Sequence, residues 1–407
     1  MQHRGIYLYN NTNKQSVIHS VLNNAFNWNL SGNGLLLNEG IIEKIIDEER
    51  RHDKFPITTA TNKTVGSMSS GEQKKAVLQY LINQQPGFII LDDWAGNLDV
   101  QNVAAMQQII TAAASRISFI QLLYRRNDLL PFVQKVITIN ENNSFTEQSR
   151  ADFLQSNTGA HHFALNQLPH LYDWSIDCDP LVEMKNVHVS YEGRKVLHNI
   201  SWTVRPGEFW QLKGPNGSGK TTLVSMIIGD NPKAYGQELY LFGRKKGSGE
   251  SVWDIKKNIG YFYPAMMLLF GRNEPVENMI ASGLTDSIGL YQEPTALQAL
   301  MVSEWIELLG KDYQNKRFNE LSTGQQRIVM VIRAMIKLPP LLILDEPTAG
   351  LDDDNTDLFI QLVNQVAALK KIAIIYISHR NEPQIQPNKI LELLPGTDGS
   401  NSKIVIT

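Results

Sequence analysis

Nine consecutive residues carry the clearest chemistry: Gly214, Pro215, Asn216, Gly217, Ser218, Gly219, Lys220, Thr221 and Thr222. They read G-x-x-x-x-G-K-T, the phosphate-binding P-loop. Its glycines let backbone N–H groups curl around a polyphosphate, and the helix behind adds positive potential at its N-terminus. Lys220 would reach the β- and γ-phosphates, and the Thr221 hydroxyl would ligate Mg²⁺. Asp345 closes the apolar run Leu341–Leu344, so it can hold Mg²⁺, directly or through water, opposite Thr221. Glu346 follows at once, where it can orient or deprotonate an attacking water. His379, in Tyr-Ile-Ser-His-Arg, can donate to the γ-phosphate and sense its loss. Tyr191, shortly before the loop, could stack on adenine. ATP and Mg²⁺ are the expected cofactors.

The flanking elements suit this chemistry. Gly207–Lys213 is a short apolar run fit for a strand, and Thr222–Gly229 is an apolar run ended by glycine, fit for a helix. Leu341–Leu344 and Ile372–Ile377 are continuous apolar runs, expected of parallel strands buried on both faces. Thr356–Leu369 between them has helical spacing. The fold class is α/β with a mostly parallel sheet, a P-loop NTPase. Residues 265–320 interrupt it with helix-like segments, including Thr295–Leu309. Ser322-Thr-Gly-Gln325 opens a further helix, whose hydroxyl and glycine N–H groups make an anion site. Arg244-Lys245-Lys246 is read as a solvated loop rather than a phosphate site.

Two stretches look alike. Leu321-Ser-Thr-Gly-Gln-Gln-Arg327 precedes Asp345 as Met68-Ser-Ser-Gly-Glu-Gln-Lys74 precedes Asp92; both spacings, Leu321 to Asp345 and Met68 to Asp92, are 24 residues. A repeat of this length means two copies of one unit. Ile259 lies 62 residues before Leu321 and Ile6 lies 62 before Met68. On that spacing residue 6 matches residue 259. The first unit, 1–140, then lacks the counterpart of residues 181–253, including any P-loop and a central strand, which leaves a sheet edge exposed. A start read late, a truncation and a decayed half all fit. The polar stretch 141–180 reads as a linker holding a short helix, and 181–407 as a complete unit. His161-His162 reads as a solvated pair, because no carboxylate or cysteine follows at ligand spacing.

The totals exclude several classes. The 407 residues are 42% hydrophobic, ample for packed cores. A net charge of −3 argues against a broadly basic nucleic-acid surface. One cysteine, Cys178, excludes a disulfide framework and a cysteine-clustered zinc site. No apolar run reaches the roughly 20 residues of a membrane span, and the N-terminus has no signal core. A soluble, cytoplasmic chain is expected, peripheral on the inner face of the membrane where another subunit supplies the membrane part.

The P-loop, LSTGQ, LILDEPTAGLD and ISH motifs, in that order over nearly the whole chain, resemble those of the ABC ATPases. Leu241–Gly260 and Ser282–Gln292 are similar more narrowly to the ModF-type family of tandem ABC proteins. The resemblance implies ABC-type nucleotide-binding domains with a helical subdomain insert, the first N-terminally truncated. It implies a head-to-tail sandwich with ATP between the P-loop of one unit and the signature helix of the other, and a link to molybdate transport. The second ABC domain would come in cis or from a second copy. Three departures bear on turnover. Pro264 falls where the family carries a glutamine, Asp93 stands where the second unit has Glu346, and Arg125 stands where it has His379. The first unit nevertheless keeps Ser69, Ser70 and Gly71. The expectation is one composite site, built from Gly214–Thr222, Asp345, Glu346 and His379 on one side and Ser69–Gly71 on the other. A membrane permease is the expected partner, docked near residues 265–320, with Met266–Phe270 as a contact patch or as core. A soluble ABC protein acting on nucleic acid or ribosomes, and a regulatory ATP sensor, are the competing readings.

Overall fold

The computed structural model describes residues 1–9, 12–23, 26, 28, 30, 32–52, 55, 57, 64–96, 98–139, 145–155, 168, 178–270, 273–379 and 382–407. The chain divides into two compact units, Met1–His161 with Gly350–Asp353, and His162–Ala349 with Asp354–Thr407. The paired histidines expected to be solvated lie outside the described residues.

The second unit holds the P-loop. Strand β9 (Phe209–Lys213) runs into helix α6 (Lys220–Ile227) through it, and β13 (Leu341–Asp345) and β14 (Ala373–Ile377) bracket helix α11 (Asp353–Ala368). With β12 (Ile259–Phe262), β15 (Lys389–Leu394) and β16 (Asn401–Ile406) they form one sheet in the order β12-β13-β14-β9-β15-β16. Every pairing is parallel except β15 with β16. The apolar runs predict this: the residues of β14 are buried throughout, as are the first four of β13, because helices cover both faces. An antiparallel sheet, β11-β10-β7-β8, comprises β7 (Val182–Tyr191), β8 (Arg194–Val204), β10 (Glu238–Leu241) and β11 (Arg244–Lys245). Helix α7 (Val252–Lys256) leads into β12. The basic run is not wholly solvated. Arg244 and Lys245 are exposed, but Lys246 is buried and ion-paired at 3.2 Å with Glu250, whose side chain is 4% exposed.

The helical insert follows β12. Helices α8 (Val276–Ala281) and α9 (Ala296–Leu309) lead to α10 (Thr323–Met335), which begins at the LSTGQ motif. Thr295 caps α9 by accepting from the Gln298 N–H, which fixes the helix start near where the spacing puts it. Two cations at the C-terminal end of α10 tie it to the insert. Buried Arg333 donates to Ser282 Oγ at 2.9 Å and to the Ser287 carbonyl at 3.0 Å, and Lys337, just beyond the helix, pairs with Asp286. Burying such charges is costly unless they are paired in this way, so the pairing specifies how insert and helix pack.

The first unit repeats the main sheet. Its strands are β1 (Arg4–Tyr7), β2 (Gly34–Leu37), β3 (Phe88–Asp92), β4 (Ser118–Leu123), β5 (Lys135–Ile139) and β6 (Phe145–Ser149), in the order β2-β3-β4-β1-β5-β6. Strand for strand this is the order of the second unit. Its helices are α1 (Lys14–Leu22), α2 (Glu39–His52), α3 (Ser70–Asn83), α4 (Val100–Ala113) and α5 (Arg150–Gln155). Two expectations are overturned. Residue 6 does not match residue 259: β1 lies between β4 and β5, as β9 lies between β14 and β15, so β1 takes the place of the P-loop strand and β2 that of β12. No central strand is missing. The equal 62-residue spacing misleads because the stretch between β2 and β3 is shorter than the stretch between β12 and β13. The presumed linker also opens with structure of the first unit. Strand β6 pairs antiparallel with β5 along its full length, and α5 buries Phe153. Among the described residues of the first unit, nothing matches the antiparallel sheet.

Candidate nucleotide site

Within the second unit, the P-loop residues, Asp345, Glu346 and His379 gather at the C-terminal ends of adjacent strands β9, β13 and β14. Ligands of open α/β sheets bind at this end. The loop closes tightly. Lys220 Nζ donates to the carbonyls of Gly214 at 2.7 Å and Pro215 at 3.1 Å, which holds the ammonium over the loop. Gly219 sits at φ 95°, and a Cβ there would come within 2.6 Å of Leu197 on β8. Leu197 is a residue that motif reading alone does not find; it backs the loop and demands glycine. Helix α6 has no side-chain cap, and the N–H groups of a helix's first turn point toward the loop at its N-terminus. First-turn amides, a lysine, a threonine hydroxyl and a carboxylate together fit a magnesium-bound triphosphate.

Burial pushes the Asp345 carboxyl up to about 6, with the Lys220 charge opposing this. The sign follows. A folded-state value above the unfolded one stabilises the fold while the group is protonated, and that contribution fades as pH rises through about 6. At neutral pH the fold therefore carries an unfavourable buried charge at the place where a cation is needed. Asp345→Asn should raise the melting temperature of the ligand-free protein at pH 7.5 by about 3 °C, corresponding to about 1 kcal/mol. The gain should shrink below pH 6, and the variant should lose Mg²⁺-dependent hydrolysis. Thermal scans across pH check this; a destabilised variant at pH 7.5 would show the carboxylate to be favourable in the empty site.

Glu346 holds φ at 44°, a left-handed conformation that costs a non-glycine residue about 1–2 kcal/mol. Its Oε1 accepts from the His379 backbone N–H at 3.0 Å, and His379 Nε2 lies 3.7 Å from the same oxygen. Asp93, the counterpart in the first unit, holds φ at 51°. The same strain after the same strand in both units marks a built feature. Tyr191 is 38% exposed at the end of β7. Asn231 Nδ2 donates to its Oη at 2.8 Å and to Ser225 Oγ at 2.9 Å. Asn231 thus ties the tyrosine to the P-loop helix, a link no motif announces. Pro264 opens a short 3₁₀ turn to Leu268 and offers no side-chain ligand. Of the Met266–Phe270 stretch, Leu268 and Leu269 are exposed whereas Phe270 is buried beneath the Arg333 guanidinium at 4.7 Å.

The signature motifs begin helices in both units. Ser322 and Gln325 form a capping box at α10, and Ser69 and Glu72 form one at α3. Gln326 Nε2 donates to the Phe318 carbonyl as Gln73 Nε2 donates to that of Val65. In the first unit buried Lys74 on α3 donates to the carbonyls of Asp93 and Gly96 and pairs with Glu39 at 3.2 Å. Gly71 packs so closely that a Cβ would come within 2.7 Å of Asn102 Cγ. Ser69, Ser70 and Gly71 therefore stand on a well-formed helix start.

The ABC transporter family matches residues 197–349. The ABC transporter ATP-binding protein ModF of Escherichia coli (strain K12) is 36% identical over 372 residues, covering 87% of this chain and 75% of that protein. An uncharacterized ABC transporter ATP-binding protein of Schizosaccharomyces pombe is 28% identical over 318 residues, covering 77% of this chain and 65% of that protein. A solved dimeric ATP-binding cassette, in a post-hydrolysis state with ADP and Pi, aligns at 21% identity and a TM-score of 0.46, covering 55% of this chain and 98% of that one. The chain belongs to the family of ABC transporter ATP-binding proteins, and is an ATP-binding P-loop ATPase related to ModF. No described helix is long and apolar enough to cross a membrane.

Proposed function

We propose that the chain is an ATP-hydrolysing, cytoplasmic-side subunit that energises a membrane permease, and that it works through one composite site. The observation that carries the reading is an asymmetry. The second unit joins a full P-loop to Asp345, Glu346 and His379, whereas the first unit carries a capped signature start at Ser69–Gly71 without the glycines of a P-loop. In this reading Lys220 and the first-turn amides of α6 bind the phosphates, Thr221 and Asp345 hold Mg²⁺, and Tyr191 stacks on the base. Mg²⁺, when bound, neutralises charge on the phosphates. Glu346 orients the attacking water and accepts its proton, and His379 fixes the Glu346 carboxylate. The residues Ser69, Ser70 and Gly71 close on the γ-phosphate from the first unit. The exposed pair Leu268 and Leu269 suits contact with an apolar partner surface. Molybdate-related cargo, implied by the ModF resemblance, is the first to test.

Purified chain should hydrolyse Mg²⁺-ATP, and Lys220→Ala should lower the rate by at least about 10²-fold. Equal rates for the two proteins would sink the proposal. Affinity capture from cells separates the readings of partner: a membrane protein supports the permease, nucleic acid supports the soluble alternative, and neither supports a sensor.

A further inference from the structure

Matching strands and registers in the two sheets locate a second, altered P-loop. In the second unit Asp345 lies opposite Ile377, which lies opposite Leu212. In the first, Asp92 lies opposite Leu122, which lies opposite Ile6. Ile6 therefore matches Leu212. Counting eight residues on from each gives Lys14 and Lys220, both the first residue of the helix that follows. The stretch from Leu8 to Lys14 is as long as that from Gly214 to Lys220. Lysine is kept and the glycines are not: Leu8 stands for Gly214 and Asn13 for Gly219.

Two changes of contact accompany the change of residues. Asn13 has φ −72° where Gly219 has 95°, and its side chain accepts from the Ser16 N–H at 3.1 Å. One of the amides that an open P-loop offers to phosphate is already satisfied. Lys14 Nζ does not sit over the loop as Lys220 does. It lies 3.0 Å from Oδ2 and 3.2 Å from Oδ1 of Asp92, whose side chain is only 3% exposed. Asp92 is the counterpart of Asp345.

We propose that this first-unit site is closed by its own residues. The Lys14 ammonium takes the place of the cation at Asp92, and the Asn13 carboxamide takes part of the place of the phosphate. The first unit then keeps one geometry, whether or not the second unit holds nucleotide. This rests on the reading of the second unit as the nucleotide site. The ion pair is the reason the arrangement persists: Asp92 without Lys14 would be a buried carboxylate lacking its cation.

The test is the number of fluorescent ATP analogues bound per chain by equilibrium titration with Mg²⁺. Wild-type protein should bind one, Lys220→Ala none, and Lys14→Met one. Two per chain in the wild type, or one retained by Lys220→Ala and lost in Lys14→Met, would overturn the closed site. None in the wild type would instead overturn the function proposed for the second unit. Stability gives an independent reading. Lys14→Met should lower the melting temperature of the first unit by about 4 °C or more, and adding Asp92→Asn should recover most of the loss. Additive losses would show that the two residues do not depend on each other.

Discussion

Glu346→Gln should reduce steady-state ATP hydrolysis by about 10²–10⁴-fold while leaving ATP binding within about twofold of wild type. The two halves of this expectation have separate causes. Glutamine keeps the size of the side chain and an oxygen able to accept from the His379 N–H, the 3.0 Å bond that holds Glu346 now. Neither φ at 44° nor the strand before it needs to change. The P-loop contacts of Lys220 are untouched. What goes is a carboxylate able to take a proton from water. Single-turnover hydrolysis and nucleotide titration on the same preparation resolve the two effects. A variant that turns over at the wild-type rate would move water activation to another group, and a variant that loses nucleotide would make Glu346 a binding residue. Glu346→Asp is informative beside it. It reproduces the side chain that the first unit carries at Asp93 in the same left-handed conformation, one methylene short of the second unit's reach.

How much of this was legible beforehand depends on the kind of signal. The P-loop is a local motif, and its strand, glycine turns and helix all follow from neighbours in sequence. The same holds for the run ending at Asp345 and for the helix begun by Ser322. Periodicity also gave the buried strands, since helices on both faces leave no polar side to alternate with. The first unit was legible only from Met68 onward, where the signature repeat is strong. Before that, spacing pointed to the wrong strand. Ile6 seemed to match Ile259 because chain length was counted where an insertion had changed it. Sheet order corrects this, and sheet order comes from pairing between distant residues, which no window of sequence contains. Asn231, Leu197 and Asn102 were missed for a related reason. Each acts through a contact with a residue far along the chain, and none belongs to a motif. Lys246 shows the opposite error: its neighbours Arg244 and Lys245 are exposed as charge patterning predicts, but a carboxylate four residues on, Glu250, lets this lysine be buried.

The proposed composite site makes the second large prediction. Gly71→Asp should abolish hydrolysis as fully as Lys220→Ala does, yet keep nucleotide bound. The added carboxylate would meet the γ-phosphate across the site, and like charges at close range repel by several kcal/mol in a dry interface. Binding should survive, because on the proposed reading the P-loop, Asp345 and Tyr191 of the second unit hold the nucleotide. The substitution has a local cost that must be separated from this effect. A Cβ at position 71 comes within 2.7 Å of Asn102 Cγ, so α3 or α4 would have to shift. Asn102→Ala removes that side chain and leaves in place the Asp99 cap, which holds the backbone N–H of residue 102. Gly71→Asp combined with Asn102→Ala should fold with the helix content of wild type, while hydrolysis stays absent. Asn102→Ala alone should be active. If the double variant hydrolyses ATP normally, the first unit does not complete the site. The second unit would then draw its signature helix from another copy or another protein, and hydrolysis should rise with the square of protein concentration in the dilute range. Rates proportional to concentration, together with a dead double variant, assign the site to the two units of one chain.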